Sequence, residues 1–259
     1  MQNNTFSTLF VGQNLIKLSE VDSTNNFMKL LVSKSEPLPE GTVIMADHQY
    51  AGRGQKEMTW YTEPGKNLTF TLLLKPTFLK ISDQFLLNMV ISLAVRNALV
   101  RWLGEDVKVK WPNDIYYRNQ KLAGMLIENI LSGNTYKSAI IGIGLNVNQR
   151  TFTDTIAAKA TSLGRILQQD VDLIQLLAEI CSHIESNYLK LKTGNYASLK
   201  VDYLAHLYRF GQIAEYRQSD ETFEGEITDI SPEGLLGLRR NDTTFYYNFK
   251  EIEFLNYSQ

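Results

Sequence analysis

The stretch VKVKWPNDIYYRNQKLAGMLIENI, residues 107–130, decides the fold. Apolar residues alternating with lysines predict a strand over Val107–Trp111, and Pro112 prevents that strand from continuing. Two further strands, Lys121–Ile130 and Tyr136–Val147, follow after short polar turns. Turns this short favour antiparallel hairpins. The stretch therefore predicts a largely antiparallel sheet.

The rest of the chain adds helices and a second, smaller unit. Apolar residues at helical spacing predict a long helix over Ile81–Leu103, and Asn67–Leu74 is expected to be a strand. From Phe210 the pattern changes to short strands separated by polar or glycine turns. The predicted fold class is α+β, with a mixed-sheet domain over residues 1–209 and a small β domain over residues 210–259.

Composition excludes several classes of protein. The chain has 259 residues, of which 44% are hydrophobic, and a formal net charge of -2, so general DNA binding is not expected. The single cysteine, Cys181, cannot form an intramolecular disulfide, which fits a reducing cytoplasm. The N-terminus lacks a signal-peptide pattern, and no apolar run approaches the roughly 18–20 residues of a membrane span. We therefore expect a cytoplasmic protein without a membrane partner.

A glycine-rich, basic loop follows the short strand expected at Thr42–Ala46. It reads QYAGRGQK over residues 49–56, with Arg53 between Gly52 and Gly54. Glycines let backbone N–H groups approach an anion closely, and the arginine adds a fixed positive charge. The loop therefore suggests a phosphate or carboxylate site, although most Gly-X-Gly segments are only turns.

The corner Lys110-Trp111-Pro112-Asn113-Asp114 displays a lysine, an amide and a carboxylate together. A lysine can neutralise phosphate, a carboxylate can bind Mg²⁺, and an asparagine can recognise a base or ribose edge. For an isolated corner of this kind, a capped turn with a solvated lysine is the simpler interpretation.

Two glycine-bearing strands carry further signals. Lys121 opens a strand with Gly124 three residues later, and strict alternation places these two residues on opposite faces. Gly142 and Gly144 clear one face of the next strand, and Asn146 lies just beyond. An edge-strand lysine and a crossing backbone explain these features equally well when each is taken alone. No G-x-G-x-x-G spacing follows, so we reject a dinucleotide-binding fold.

The order of the motifs is more specific than any one of them. The chain reads S-T-N at residues 23–25, Q-x-A-G-R-G from Gln49, K-W-P-N-D from Lys110, K-L-A-G from Lys121 and I-G-I-G-L-N-V-N from Ile141. This series resembles the bacterial biotin–protein ligases, also called biotin–[acetyl-CoA-carboxylase] ligases, over nearly the whole chain. The K-W-P-N-D motif followed seven residues later by K-L-A-G is highly specific.

The resemblance implies a fold and a reaction. The fold is a mixed-sheet catalytic domain related to class II aminoacyl-tRNA synthetases, followed by an SH3-like β-barrel. Biotin and ATP, with Mg²⁺, give biotinyl-5′-AMP and pyrophosphate. The biotinyl group then passes to one lysine of a biotin carboxyl carrier protein.

The resemblance also implies roles for individual residues. The catalytic cations, which offset the repulsion between two anionic reactants, are Arg53, Lys110 and Lys121. The residues expected to bind biotin are Ser23, Thr24, Asn25, Gln49, Gly52, Arg53, Gly54, Gln55, Lys121 and Gly124. Those expected to bind ATP are Arg53, Trp60, Lys110, Asn113, Asp114 and Asn146, with Asp114 as the candidate metal ligand.

The chain departs from the usual pattern of these ligases in several places. Many relatives carry a second basic residue where this chain has Gln55, and Glu57 replaces a usual glycine, so retention of the adenylate is expected to differ. Only 22 residues precede Ser23, too few for the DNA-binding domain of the bifunctional relatives. We therefore expect the monofunctional form. A homodimer joined side by side through the strand Tyr136–Val147 is a further hypothesis.

Two other functions remain as alternatives. A lipoate or octanoyl transferase has a related fold, but the octanoyl enzymes use a cysteine thiol, and Cys181 has the surroundings of a core residue. A non-catalytic biotin- or nucleotide-binding module would not need the set of Arg53, Lys110, Asp114 and Lys121. Both alternatives predict no biotin-dependent pyrophosphate release.

Overall fold

The computed structural model describes residues 5–34, 36–55, 58–133 and 135–255, without the side chains of Asp154 and Thr155. The larger sheet contains β1 Leu15–Val21, β2 Val43–Gln49, β3 Leu68–Leu74, β4 Val107–Lys110, β5 Asp114–Tyr117, β6 Gln120–Ser132 and β7 Thr135–Leu145. The helices are α1 Thr24–Val32, α2 Gln84–Leu103, α3 Asp154–Ala157, α4 Leu163–Leu167, α5 Leu173–Lys192 and α6 Tyr196–Ala205. The smaller sheet contains β8 Ile213–Gln218, β9 Glu221–Ile230, β10 Leu236–Arg240, β11 Thr243–Tyr247 and β12 Glu253–Phe254.

The larger sheet is mixed and mostly antiparallel, as the sequence predicts. Its strand order is β1-β2-β3-β7-β6-β5-β4, and β1 and β2 form the parallel pair. Two strands are absent from the sequence prediction: β1, which is at one edge, and the short β5, which follows the K-W-P-N-D corner. From Ala139 to Leu145, β7 is hydrogen-bonded to β3 on one side and β6 on the other. Over that span it has no free edge for the side-by-side dimer that the sequence suggested.

The two faces of the larger sheet have different partners. One face contributes Phe70 and Ile143 to the main hydrophobic core, beneath α2, and α5 packs on the outside of α2. The opposite face is partly covered by α1 over a smaller cluster of Met28, Leu73 and Ile140. Because side chains alternate along each strand, polar residues beside that cluster are left facing a cleft.

The predicted long helix is present as a single 3₁₀ turn, Ile81–Asp83, followed by α2. The segment Ile81–Asp106 is long and apolar enough to cross a membrane by length and composition, and 61% of its most apolar window is buried inside the fold. This burial explains why α2 is apolar on most of its sides, because the helix packs against α5, α6 and the sheet.

The smaller sheet is antiparallel throughout, with the order β11-β10-β9-β8-β12. The predicted domain boundary at residues 209–210 lies between α6 and β8. The two parts of the chain meet at the K-W-P-N-D corner. There the indole Nε1 of Trp111 donates a 2.8 Å hydrogen bond to the carbonyl of Gly234, and its ring packs edge-on against Phe249.

Candidate active site

A cleft opens beside α1 on the second face of the larger sheet. Its empty space, including the open mouth, is about 820 Å³. Among the residues that the sequence assigns to biotin or ATP, those that line it are Ser23, Thr24, Asn25, Gln49, Arg53, Gly54, Gln55, Trp60, Asn113, Asp114, Lys121 and Gly124. The other lining residues are Met58, Thr59, Thr69, Phe70, Met125, Leu126, Gly142, Ile143, Gly144 and Phe249.

The N-terminus of α1 is capped by a residue of β2. Gln49, at the end of β2, accepts hydrogen bonds through Oε1 from the backbone N–H and the hydroxyl of Thr24, at 2.7 and 2.9 Å. Ser23 is the N-cap residue by position but makes no side-chain capping bond. Because Gln49 satisfies one of the free N–H groups of the first turn, the hydroxyl of Ser23 remains available to the cleft.

Asn25 is held in one orientation from three sides. Its Nδ2 donates to Glu128 Oε2 at 2.9 Å and to the carbonyl of Leu126 at 3.3 Å, and its Oδ1 lies 2.6 Å from the hydroxyl of Thr71. A Cβ atom on Gly142 would lie 2.4 Å from that same Oδ1. The glycine at 142 is therefore what lets the amide lie against β7.

The glycine-rich loop is the first arm of an irregular hairpin. Gly54 N donates to the carbonyl of Met58, and Trp60 N donates to the carbonyl of Gly52 at 2.9 Å. A Cβ atom on Gly52 would lie 2.3 Å from the carbonyl oxygen of Trp60, so a larger residue would force the two arms apart. Gly52, which the sequence assigns to biotin, does not line the cleft itself and allows the hairpin to close.

Lys121 and Asp114 form an ion pair inside the cleft, with 2.8 Å between Nζ and Oδ1. Both side chains lie over Gly124, where a Cβ atom would be 3.2 Å from each. The predicted alternation is wrong here because β6 has one extra residue, Leu122, between its pairings with Tyr116 and Ile115. This β-bulge turns Lys121 to the same face as Gly124.

Lys110, which the sequence assigns to ATP, lies outside the cleft lining, and it is paired in the sheet with Asp114, which does line the cleft. Its ammonium lies 4.5 Å from the ring centre of Tyr116 and 4.9 Å from that of Phe254, and it donates to the Tyr116 hydroxyl at 3.1 Å. Burial lowers the pKa of Lys110 to about 8, although the charge of Asp114 opposes the shift. The small β domain covers this lysine with Phe254, and a contact of Lys110 with ATP stays a prediction.

Asn146, which the sequence also assigns to ATP, does not line the cleft. Its Nδ2 donates to the carbonyl of Thr161 at 3.0 Å, and its backbone N–H donates to the carbonyl of Leu122. Asn146 therefore ties the end of β7 to the segment that precedes α4. Asn113 does line the cleft, with its amide donating to the carbonyl of Met125.

Sequence reasoning missed several lining or supporting residues. Glu128 lies four residues after Gly124 on the cleft face of β6, and a single acidic residue in an apolar strand could have signalled it. Thr69 and Thr71 alternate with large apolar residues in the buried strand β3, which is a similar signal. Phe249 comes from the small β domain. Nothing in the local sequence marks Phe249, because only the packing of the two domains brings it to the cleft.

Comparison with known proteins gives the class first. The model of the Biotin/lipoate A/B protein ligase family matches residues 18–146. That span contains the α1 N-terminus, the hairpin loop, the Lys121–Asp114 pair and the two cleft glycines of β7. The fold and the cleft thus define a protein of the biotin and lipoate ligase class.

Individual relatives narrow this class. The chain is 31% identical to the Bifunctional ligase/repressor BirA of Bacillus subtilis (strain 168), over 91% of this chain and 72% of that protein. It is 28% identical to the Biotin--[acetyl-CoA-carboxylase] ligase of Paracoccus denitrificans, over 86% and 92%. The structure of the biotin protein ligase from Aquifex aeolicus in complex with biotin and ATP matches with a TM-score of 0.78 and 29% identity, over 93% of this chain and 98% of that one. The chain therefore belongs to the biotin–protein ligases.

Proposed function

We propose that the cleft joins biotin to AMP and holds the product until a carrier protein accepts the biotinyl group. The biotin carboxylate attacks the α-phosphorus of ATP, and pyrophosphate leaves with the bridging oxygen. The ε-amine of the acceptor lysine then attacks the biotinyl carbonyl, loses a proton, and expels AMP. No nucleophile of the enzyme is needed, because the mixed anhydride is already activated.

The observation that carries this proposal is the placement of Lys121. Its ammonium lies in the cleft, 2.8 Å from Asp114 and 5.6 Å from the ring centre of Trp60. Two anions must approach each other in the first step, and a preorganised cation stabilises the charge that develops on the transferred phosphoryl group. We assign that role to Lys121, and we assign the nucleotide to the side of the cleft that Trp60, Asn113 and Phe249 line.

Biotin is assigned to the neighbouring part of the cleft, at the N-terminus of α1. The Ser23 hydroxyl and the network of Thr24, Asn25 and Gln49 offer both donors and acceptors, which suits a neutral polar ring system. Gln55 and Arg53 lie on the loop that borders this part. We assign the carboxylate of biotin to the side of the cleft where Lys121 lies.

Magnesium would enter together with ATP. Among the described lining residues Asp114 is the one carboxylate, and no group of three or more metal-ligating side chains occurs in the described parts of the chain. This fits Mg²⁺, which is usually held by one or two carboxylates and the substrate phosphates. When bound, the ion neutralises phosphate charge, and Asp114 is the residue that would hold it.

The acceptor is a biotin carboxyl carrier protein or domain, which has to present its lysine at the cleft mouth. We further propose a cytoplasmic enzyme that binds neither DNA nor membranes, which the net charge of -2 and the burial of α2 support. A homodimer would need a surface other than the central part of β7. The edge strand β1 is paired with β2 and is the candidate for such an association, whereas Val109 of β4 is already hydrogen-bonded to residues 206 and 208 on its outer side.

An octanoyl transferase is disfavoured by the position of the only thiol. Cys181 is buried in α5, and burial raises the pKa of its thiol to about 12, so it would remain protonated at neutral pH. Lipoate is distinguished from biotin by experiment. The protein is incubated with ATP, Mg²⁺ and biotin, lipoate or octanoate, and pyrophosphate and acyl-AMP are followed by mass spectrometry. Adenylate from biotin alone is expected, and adenylate from lipoate but not biotin would overturn the proposal.

A further inference from the structure

Glu128 connects the α1 helix to the glycine-rich loop through one carboxylate. Its Oε2 accepts a hydrogen bond from Asn25 at 2.9 Å. Its Oε1 is 2.7 Å from the ammonium of Lys29 and 3.0 Å from a guanidinium nitrogen of Arg53. The other terminal nitrogen of Arg53 donates to Asn26 Oδ1 at 2.6 Å. The loop is therefore attached to both β6 and α1 by the side chain of Arg53.

The surroundings of this carboxylate favour its ionised form. Burial alone would raise the pKa of Glu128, but the hydrogen bonds from Lys29 and Asn25 and the charges of Lys29 and Arg53 outweigh it. The net result is a pKa below the ordinary value. A charged acceptor shared by charged donors makes a stronger contact than a neutral hydrogen bond.

Glu128 and Arg53, the two residues of this ion pair, differ in how firmly their backbone is held. Glu128 belongs to a strand whose pairing with β7 continues on both sides of it, opposite Ile140. Arg53 belongs to a hairpin whose described backbone contacts include those between Gly54 and Met58 and between Gly52 and Trp60. Trp60 holds the far arm of this hairpin against Gly144 of β7. The Arg53 side chain is the corresponding tie between the near arm and the sheet.

We propose that Glu128 is a positioning residue that fastens the Arg53 loop over the cleft before any ligand binds. The inference rests on the proposed use of the cleft for biotin and its adenylate. It also changes the role of Arg53, whose charge is already matched by a carboxylate of the protein. Arg53 then acts mainly as the clasp of the loop, while Lys121 is the cation that faces the reacting groups.

The variant Glu128→Gln tests this proposal, because its amide oxygen can still accept from Asn25 while the negative charge is lost. We expect faster hydrogen exchange in the peptide spanning residues 50–62 of the ligand-free protein. We also expect KM for biotin and the dissociation rate of biotinyl-5′-AMP to rise about two- to fivefold, the scale of a partly exposed ion pair. The kcat for adenylation should change by less than KM, since no group that touches the reacting atoms is altered.

Lys29→Gln is the matched control, because it removes the other cation on Glu128 Oε1 and leaves the Arg53 contact in place. Loop exchange in that variant should equal the wild type. If Glu128→Gln does not fold by circular dichroism, Arg53→Gln cuts the same contact from the loop side and should increase exchange in the same peptide. Unchanged exchange in a folded Glu128→Gln or Arg53→Gln protein would overturn the proposal. The exchange measurement uses no ligand, so it stands even if biotin proves not to be the substrate.

Discussion

The indole ring of Trp60 lies directly on Gly144. A Cβ atom built on Gly144 would be 2.3 Å from the ring, a distance that real atoms do not adopt. The indole Nε1 of Trp60 is buried without a hydrogen-bond partner among the described residues. Gly144 of β7 therefore makes room for the ring, whose indole N–H is left without a partner among the described residues.

Gly144→Ala should displace Trp60 and weaken ATP binding. The added methyl group cannot fit beneath the ring, and a base stacked on an aromatic side chain contributes about 1–3 kcal/mol. We expect KM for ATP to rise about tenfold or more, measured by pyrophosphate release at saturating biotin. Gly225→Ala is the control, because its nearest neighbours would be 3.5 Å away in the small β domain. An unchanged KM for ATP in Gly144→Ala would contradict this placement of the nucleotide.

Lys121→Met should nearly abolish adenylation. The substitution removes the cation from the cleft and leaves Asp114 without its partner. The carboxylates of Asp114 and of biotin would then both face the phosphates. Loss of one preorganised stabilising group typically costs about 10²–10³ in kcat. Lys137→Met, at an exposed position of β7, is the control and should retain wild-type rates. Single-turnover formation of biotinyl-5′-AMP measures the chemical step, and a rate within threefold of wild type would remove Lys121 from the mechanism.

Gln55→Arg should slow the release of biotinyl-5′-AMP. Gln55 lines the cleft, and its Oε1 is buried without a hydrogen-bond partner among the described residues. An arginine here would relieve that unpaired oxygen and add a charge beside the adenylate phosphate. We expect the dissociation rate of labelled adenylate to fall about tenfold, the scale of one charge-assisted hydrogen bond. Gln212→Arg adds the same charge outside the lining and should change nothing, whereas equal effects of both variants would point to net charge alone.

Lys110→Met should change how stability depends on pH. In the folded protein the pKa of Lys110 is about 8, against an ordinary value of 10.5. Between those values the unfolded chain binds the proton and the folded chain does not, so the wild type gains stability as pH rises from 8 to 10.5. The gain should be at most roughly 3 kcal/mol, and less because the rings of Tyr116 and Phe254 favour the ammonium. Urea unfolding of both proteins from pH 7 to 10 measures the difference, which should be constant if Lys110 is not buried.

Phe249→Ala should weaken nucleotide binding although the residue lies far from the motifs in sequence. Its side chain lines the cleft and packs edge-on against Trp111. We expect KM for ATP to rise about threefold to tenfold, with a small loss of thermal stability from the lost aromatic contact. Phe245→Ala, at an exposed position of the same domain, is the matched control. Identical KM values in the two variants would show that the small domain does not shape the nucleotide site.

The sequence predicts the parts of the cleft that a single segment builds. Ser23, Gln49, Gly54 and Lys121 belong to motifs whose spacing is fixed by one turn or one strand, and all of them line the cleft. The fold class follows from the same local signals, because hairpin turns and helical spacing are written in neighbouring residues. Their individual roles as ligand contacts remain predictions.

The surroundings of several predicted site residues depend on contacts between distant segments. Lys110 lies beside the ring of Phe254, which is 144 residues later in the chain. The side-chain amide of Asn146 donates to the carbonyl of Thr161. A bulge at Leu122 places Lys121 on the same face of β6 as Gly124. Packing between distant segments sets register shifts and side-chain hydrogen bonds of this kind. They therefore cannot be predicted from the sequence of one strand at a time.

The hydrogen bond from Trp111 to Gly234 and the position of Phe249 have a practical consequence for dissecting the enzyme. A fragment ending near residue 209 would contain the motif residues of the cleft and still lack one wall of it. It would also leave the indole N–H of Trp111 unpaired and uncover the ring beside it. Loss of activity in such a fragment would therefore report a broken substrate chamber, and would say nothing about whether the small domain recruits the acceptor protein.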